Sequence, residues 1–178
     1  MAHDTTDTNG RTSAAVTPIE SARPRRKAAR KTRKKAPGIQ RALDTLCAAM
    51  TAGDGQACAD LWLTPAYFVA DEMRKAVDDP AAIAEWFGGA KAQYDAKGIT
   101  DTRAEIESIE WLTERMVLVT TRFPYLDALG EEHGDERSTY TMRKEDDGSF
   151  RFCVAMMQGA NEPKETDVEE AKTAEETN

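Results

Sequence analysis

Large apolar residues are nearly absent from residues 1–37 and then recur with two different periods. Ile39, Leu43, Leu46, Cys47 and Met50 lie at helical spacing and predict a first helix over Ile39–Thr51, stopped by Gly53. Asp54 suits the cap of a short second helix with Cys58, Leu61 and Trp62 on its inner side, ended by Pro65. Tyr67–Ala70 reads as a short strand or extended segment. Asp79 and Pro80 open a third helix, because proline at the first helical position gives up an N–H that has no intrahelical partner. Ile83, Trp86, Phe87, Ala90 and Tyr94 form its apolar stripe, and Gly98 closes it.

From Thr102 onward the period becomes two. Ala104 and Ile106 alternate with charged neighbours, and Ile109 and Trp111 continue out of phase, which predicts a bulge near Ser108. Met116–Tyr125 is β-rich and apolar on both faces, as in a central strand. A polar hairpin region, Asp127–Asp135, follows, and then Ser138, Tyr140 and Met142 alternate with Thr139, Thr141 and Arg143. Asp146-Asp147-Gly148 signals a tight turn before a last strand over Phe150–Met157. Helices followed by an antiparallel meander give an α+β layer architecture.

Charge separates the chain into three parts. Residues 1–38 carry ten Lys/Arg against three Asp/Glu, and residues 159–178 carry two Lys against seven Asp/Glu. With a net charge of −8, the body between them holds −10. The expected organisation is a disordered basic arm over 1–37, one domain over 38–158 and a disordered acidic tail over 159–178. Arg23, Arg25, Arg26, Lys27, Arg30, Lys31, Arg33, Lys34 and Lys35 place nine cations in thirteen residues. Such a run attracts polyanions through counterion release. It lacks aromatic interleaving and a groove-reading motif, so nucleic-acid binding through it would be blind to sequence. A solubilising role, folding back onto the acidic body, contact with anionic lipid and, in a eukaryotic cell, nuclear import are the other readings of the same run. Cys47, Cys58 and Cys153 form no C-x-x-C and read as free thiols of a reducing compartment. With no membrane-length apolar run and no apolar secretion signal, the expected location is the cytoplasm.

In this order of elements the chain resembles the NTF2-like superfamily, which includes SnoaL-like polyketide cyclases and ketosteroid isomerases. The likeness is carried by Ile39–Thr51, by the helix opening at Asp79-Pro80 and containing Trp86-Phe87, and by the meander from Arg103 to Gln158. The resemblance implies a cone: three N-terminal helices packed on a curved antiparallel sheet that wraps one long helix and encloses a pocket. It also implies frequent homodimerisation through the outer sheet face. Isomerase-type members use an aspartate base with a tyrosine and a protonated acid. Asp71, Asp127, Tyr67, Tyr125 and Tyr140 are of the right types, and none matches a family motif residue by residue.

The weak catalytic candidates are Asp71, Asp127, His133 and Tyr140. Asp71 and Asp127 stand near strand ends that could form a pocket rim, His133 is the sole histidine outside the arm, and a buried Tyr140 phenol could grip a polar group. The candidate pocket lining is Trp62, Tyr67, Trp86, Phe87, Trp111, Phe123, Tyr125 and Tyr140. His133 with Asp127, Glu131 or Glu132 is a thin metal grouping, and neither metal nor cofactor is expected. Two functions stay open. One is a non-catalytic, dimeric binding or assembly domain, with a small apolar ligand and a polyanion or acidic partner held through the arm. The other is a SnoaL-like isomerase, cyclase or hydratase acting by proton transfer on a small apolar carbonyl compound.

Overall fold

The structure, a computed structural model, describes residues 37–161. The basic run Arg23–Lys35 and most of the acidic tail lie outside the described residues. Eleven elements follow in order: α1 (Pro37–Ala52), α2 (Gly55–Ala59), β1 (Trp62–Ala70), β2 (Met73–Val77), α3 (Pro80–Gly88), α4 (Ala90–Ala96), β3 (Asp101–Thr102), β4 (Glu105–Trp111), β5 (Met116–Leu126), β6 (Glu132–Lys144) and β7 (Phe150–Asn161).

The helix starts follow from local chemistry. Asp54 accepts from the Ala57 N–H at 2.9 Å and caps α2, and Asp79 accepts from the Ala81 N–H at 2.9 Å with Pro80 leading α3. Gly55 lets α2 lie against α3, since a Cβ there would stand 2.0 Å from the Ala84 carbonyl oxygen. Gly98, at φ +71°, ends the α4 turn, where the Ile99 N–H reaches back to the Tyr94 carbonyl at 2.9 Å.

One seven-stranded sheet runs β2-β1-β7-β6-β5-β3, with β4 also paired to β5. It is mixed rather than wholly antiparallel, because the first strand lies parallel to the last. Arg151 fastens that junction by donating from Nη2 to the carbonyls of Asp60 (2.9 Å) and Trp62 (2.7 Å). The bulge falls between Ile106 and Ser108, where β4 slips in register along β5. A second irregularity, between Thr141 and Met142 of β6, leaves Cys153 of β7 as the extra residue. Phe152 and Ala155 therefore both face inward despite their odd spacing.

The concave face of this bent sheet is covered by the helices. Ile39, Leu43 and Leu46 of α1 and Ile83 of α3 meet Val117 and Val119 of β5 and Phe152 of β7, all essentially inaccessible. Full burial of such side chains contributes roughly 1.5–3 kcal/mol each. Two expectations need correction. The third helix does not run unbroken to Gly98; it is interrupted at Gly88-Gly89, two successive residues of low helix propensity. Trp62 and Pro65 belong to a strand, not to a helix and its end, because Trp62 already pairs with Phe152.

Candidate functional site

Between the broken α3–α4 helix and the concave sheet lies a cavity of about 340 Å³. Trp62 and Phe68 of β1, and Trp86 and Phe87 of α3, make one wall. Their rings touch in a continuous group, with Trp62–Phe68 and Phe68–Trp86 centroids each 4.6 Å apart. Alternation sends Phe68 inward and its neighbours outward, so this wall is a direct product of strand periodicity. The break at Gly88-Gly89 redirects the chain, and α4 adds Gln93 and Tyr94 to the rim.

The adjoining wall is built by β6, where the Tyr140 ring meets Trp62 edge-on at 6.4 Å. Glu136, Ser138 and Tyr140 sit at every second position and all line the cavity, with Met142 deeper in the core. Tyr125 of β5 donates its phenolic proton to Glu136 Oε2 at 2.8 Å. Tyr94 lies beside Tyr125, ring centroids 5.9 Å apart. Glu136 is thus a carboxyl group set among aromatic side chains.

Its acidity reflects that setting. Desolvation raises the Glu136 carboxyl above the usual glutamate range, and the Tyr125 hydrogen bond and the charge of Lys97 oppose this without cancelling it. Burial, followed by the Glu136 charge, pushes the Tyr94 and Tyr140 phenols well above their ordinary range, so both remain hydrogen-bond donors. The Cys47 thiol, pushed up to about 12 by burial and then by Asp44, is not a nucleophile at neutral pH. The buried Trp62 indole N–H finds no acceptor among the described residues.

Five of the residues expected to line a pocket, Trp62, Trp86, Phe87, Tyr125 and Tyr140, stand around this cavity. Three do not. Tyr67 faces the outer side of the sheet and is 47% exposed, because its neighbour Phe68 takes the inward position. Trp111 packs edge-on against Phe150 at 6.0 Å, toward the far end of β4. Phe123 is buried behind the wall, perpendicular to Tyr140 at 6.1 Å.

Of the catalytic candidates, only Tyr140 reaches the cavity. Asp71 lies exposed in the turn between β1 and β2. Asp127 and His133 do meet, His133 Nε2 lying 2.8 Å from Asp127 Oδ2, but at the tip of the β5–β6 hairpin. The His133 hydrogen bond, then the Glu131 and Leu129 backbone N–H groups, hold the Asp127 carboxyl below its usual range. Asp127, Glu131 and His133 each place a ligand atom within 4.8 Å of the others, a spacing one cation could bridge. The turn's own hydrogen bonds account for that arrangement without an ion.

Glu136 was absent from the sequence candidates because it sits in a stretch of Glu, Asp and Arg that reads as solvated. The signal was available: the phase of Ser138, Tyr140 and Met142, carried back two residues, turns Glu136 inward.

The sequence matches the NTF2-like protein family DUF6841 over residues 34–160. The chain belongs to that family. Solved structures with the same NTF2-like fold are distant in sequence. A cystatin-like domain of unknown function from Nostoc punctiforme aligns with TM-score 0.55 and 14% identity, over 80% of this chain and 86% of that one. An NTF2-like protein of unknown function from Shewanella oneidensis aligns with TM-score 0.53 and 15% identity, over 69% and 98%. A Xanthomonas campestris protein, named as a candidate calcium/calmodulin-dependent protein kinase II association domain, gives TM-score 0.51 and 17% identity, over 74% and 92%. These likenesses carry the fold. No curated protein matches the NTF2-like chain by sequence. No helix among the described residues is long and apolar enough to cross a membrane.

Proposed function

We propose that this NTF2-like domain binds a small, largely apolar molecule in the aromatic cavity and holds one polar group of it against Glu136. The observation that carries this reading is the Tyr125–Glu136 pair inside a chamber walled by Trp62, Phe68, Trp86 and Phe87. Apolar cavities with a few converging polar groups are the usual form of a small-molecule site. The test is calorimetric titration of full-length protein with 2-naphthol, beside an Ala90→Phe variant that narrows the cavity at α4. Saturable binding to the wild type and its loss in the variant support the reading. Identical binding by both proteins removes it.

In the same reading the domain is a non-catalytic, homodimeric assembly unit in the cytoplasm, tethered through its basic arm to a polyanion or acidic partner. Tyr67, Val69 and Met156 expose apolar surface on one face of the sheet, and the Xanthomonas neighbour is itself named for association. Three free cysteines suit a reducing compartment. The arm is tested by polyanion binding over a salt series, with and without residues 1–36, and equal binding by both forms would remove the tether.

A second reading, a SnoaL-like enzyme, rests on one observation: a carboxyl with raised pKa beside protonated phenols suits proton transfer next to a carbonyl. Deuterium uptake at the α-carbon of a small cyclic ketone, followed by NMR, tests it. Equal uptake rates for wild type and Glu136→Gln would end it.

A further inference from the structure

The Tyr125–Glu136 pair fixes where a polar ligand group sits but leaves open its charge. The cavity's composition decides the charge. Seven aromatic rings line it beside aliphatic residues such as Met50, Ile99 and Met157, and aromatic faces carry the negative end of the ring quadrupole. Trp62, Phe68, Trp86 and Phe87 line the space together with Tyr94, Tyr125 and Tyr140. Glu136 is the acidic side chain of that lining.

The two cationic residues of the lining do not offset it in kind. Arg137 is exposed and donates from Nε to Glu107 at 3.1 Å, so its charge is already engaged. Lys97 lies exposed just past the end of α4, and its charge favours the ionised form of Glu136. An ammonium over an indole is already a contact of this molecule: Lys75 Nζ lies 5.3 Å from the Trp86 ring centroid. The body that surrounds the cavity carries −10, a field that draws cations toward it.

We propose that the cavity selects an organic cation, a protonated amine on an apolar or aromatic body, with Glu136 as counterion and the surrounding rings as a cation–π cage. This deepens the small-molecule reading above and rests on it. A neutral alcohol of the same shape gains the apolar burial but not the ion pair. An acid of the same shape meets Glu136 with like charge. Burial among apolar side chains makes the carboxylate costly, which is why desolvation raises it, and an entering ammonium relieves that cost.

The test uses three probes that differ only at one end: 3-phenylpropylamine, 3-phenylpropan-1-ol and 3-phenylpropanoate. Each is titrated calorimetrically into full-length wild type and Glu136→Gln at pH 7. The expected result is an amine bound at least tenfold more tightly than the alcohol, and no saturable binding of the acid. In Glu136→Gln the amine should fall to the affinity of the alcohol. A second expectation needs no variant. Across pH 4 to 8 the amine should bind the wild type more tightly as Glu136 loses its proton, while the alcohol stays level. The titratable and charged groups near that carboxyl are Tyr125 from β5, Tyr94 and Lys97 at α4, Arg137 and Tyr140 of β6 and Cys47 of α1, and burial keeps the Tyr94, Tyr140 and Cys47 protons in place across that interval. Equal binding of all three probes would overturn the cation inference while leaving the small-molecule reading intact. Binding of none would overturn both. A tenfold preference that survives in Glu136→Gln would also overturn it, by assigning the selectivity elsewhere.

Discussion

The Tyr125 phenol and the Glu136 carboxylate share a 2.8 Å hydrogen bond across the paired strands β5 and β6. The bond favours the ionised carboxylate, and desolvation works against it with the larger effect. Tyr125→Phe removes the favourable part alone. The Glu136 titration midpoint, read by carbon NMR of the side chain, should move higher still in that variant. An unchanged midpoint would mean that the phenol does not act on the carboxylate.

Stability should carry the same signature. A folded-state pKa above the ordinary 4.5 means that the native protein holds this proton more tightly than the unfolded chain. The resulting stabilisation is complete below about 4.5 and fades as pH rises through the folded value. Compared with Glu136→Gln, wild type should lose denaturation midpoint over that interval and then level off. A parallel pair of curves would contradict the assignment.

Gly55 and Gly88 should respond oppositely to alanine. At Gly55 the new methyl meets the Ala84 carbonyl oxygen at 2.0 Å, and backbone on both sides must shift. Overpacking of that kind costs about 1–3 kcal/mol. At Gly88 nothing lies within 4 Å, and replacing a helical glycine recovers roughly 0.5–1 kcal/mol. Chemical denaturation of the two variants, compared at constant slope, tests the contrast.

The β5–β6 hairpin is held by Asp127, whose Oδ1 accepts from the Leu129 and Glu131 N–H groups at 2.8 and 2.9 Å. Asp127→Ala should raise amide exchange at Leu129 and Glu131 while leaving exchange in β5 unchanged. In wild type the same protection should fall as pH drops through the depressed Asp127 value, because the ionised form is the better acceptor.

Tyr67→Glu combined with Val69→Lys places charge on the outer face of β1, where both side chains are already exposed. If that face joins two copies, the double variant should halve the mass measured by light scattering, with the circular dichroism spectrum preserved. An unchanged mass would place association elsewhere.

How much of this was legible beforehand depends on burial. The α3 start was readable from Asp79-Pro80, and the β4 bulge from the slipped phase of Ile106 and Ile109, because both leave a mark within a few residues. Strand β2 left none. It is an edge strand with Arg74, Lys75 and Ala76 exposed, so no apolar alternation exists to be read. The parallel joining of β1 to β7 is a relation between distant segments, invisible to any local window. The site divided in the same way: aromatic residues announced themselves, whereas Glu136 looked like one more surface acid until its strand phase was followed.

That parallel joining has a consequence for how the domain is made. Strand β7 occupies the position between β6 and β1, and Arg151 grips the Asp60 carbonyl across 91 residues of sequence. During synthesis the opening strand has no neighbour on that side until nearly the whole body has left the ribosome. Assembly therefore waits for the C-terminal end of the body, and contacts of such wide sequence separation place the domain among slow folders. A chain terminated before Phe150 would lose the wedge that unites its two halves, leaving the β1–β2 ribbon and the β4–β6 meander with no strand between them.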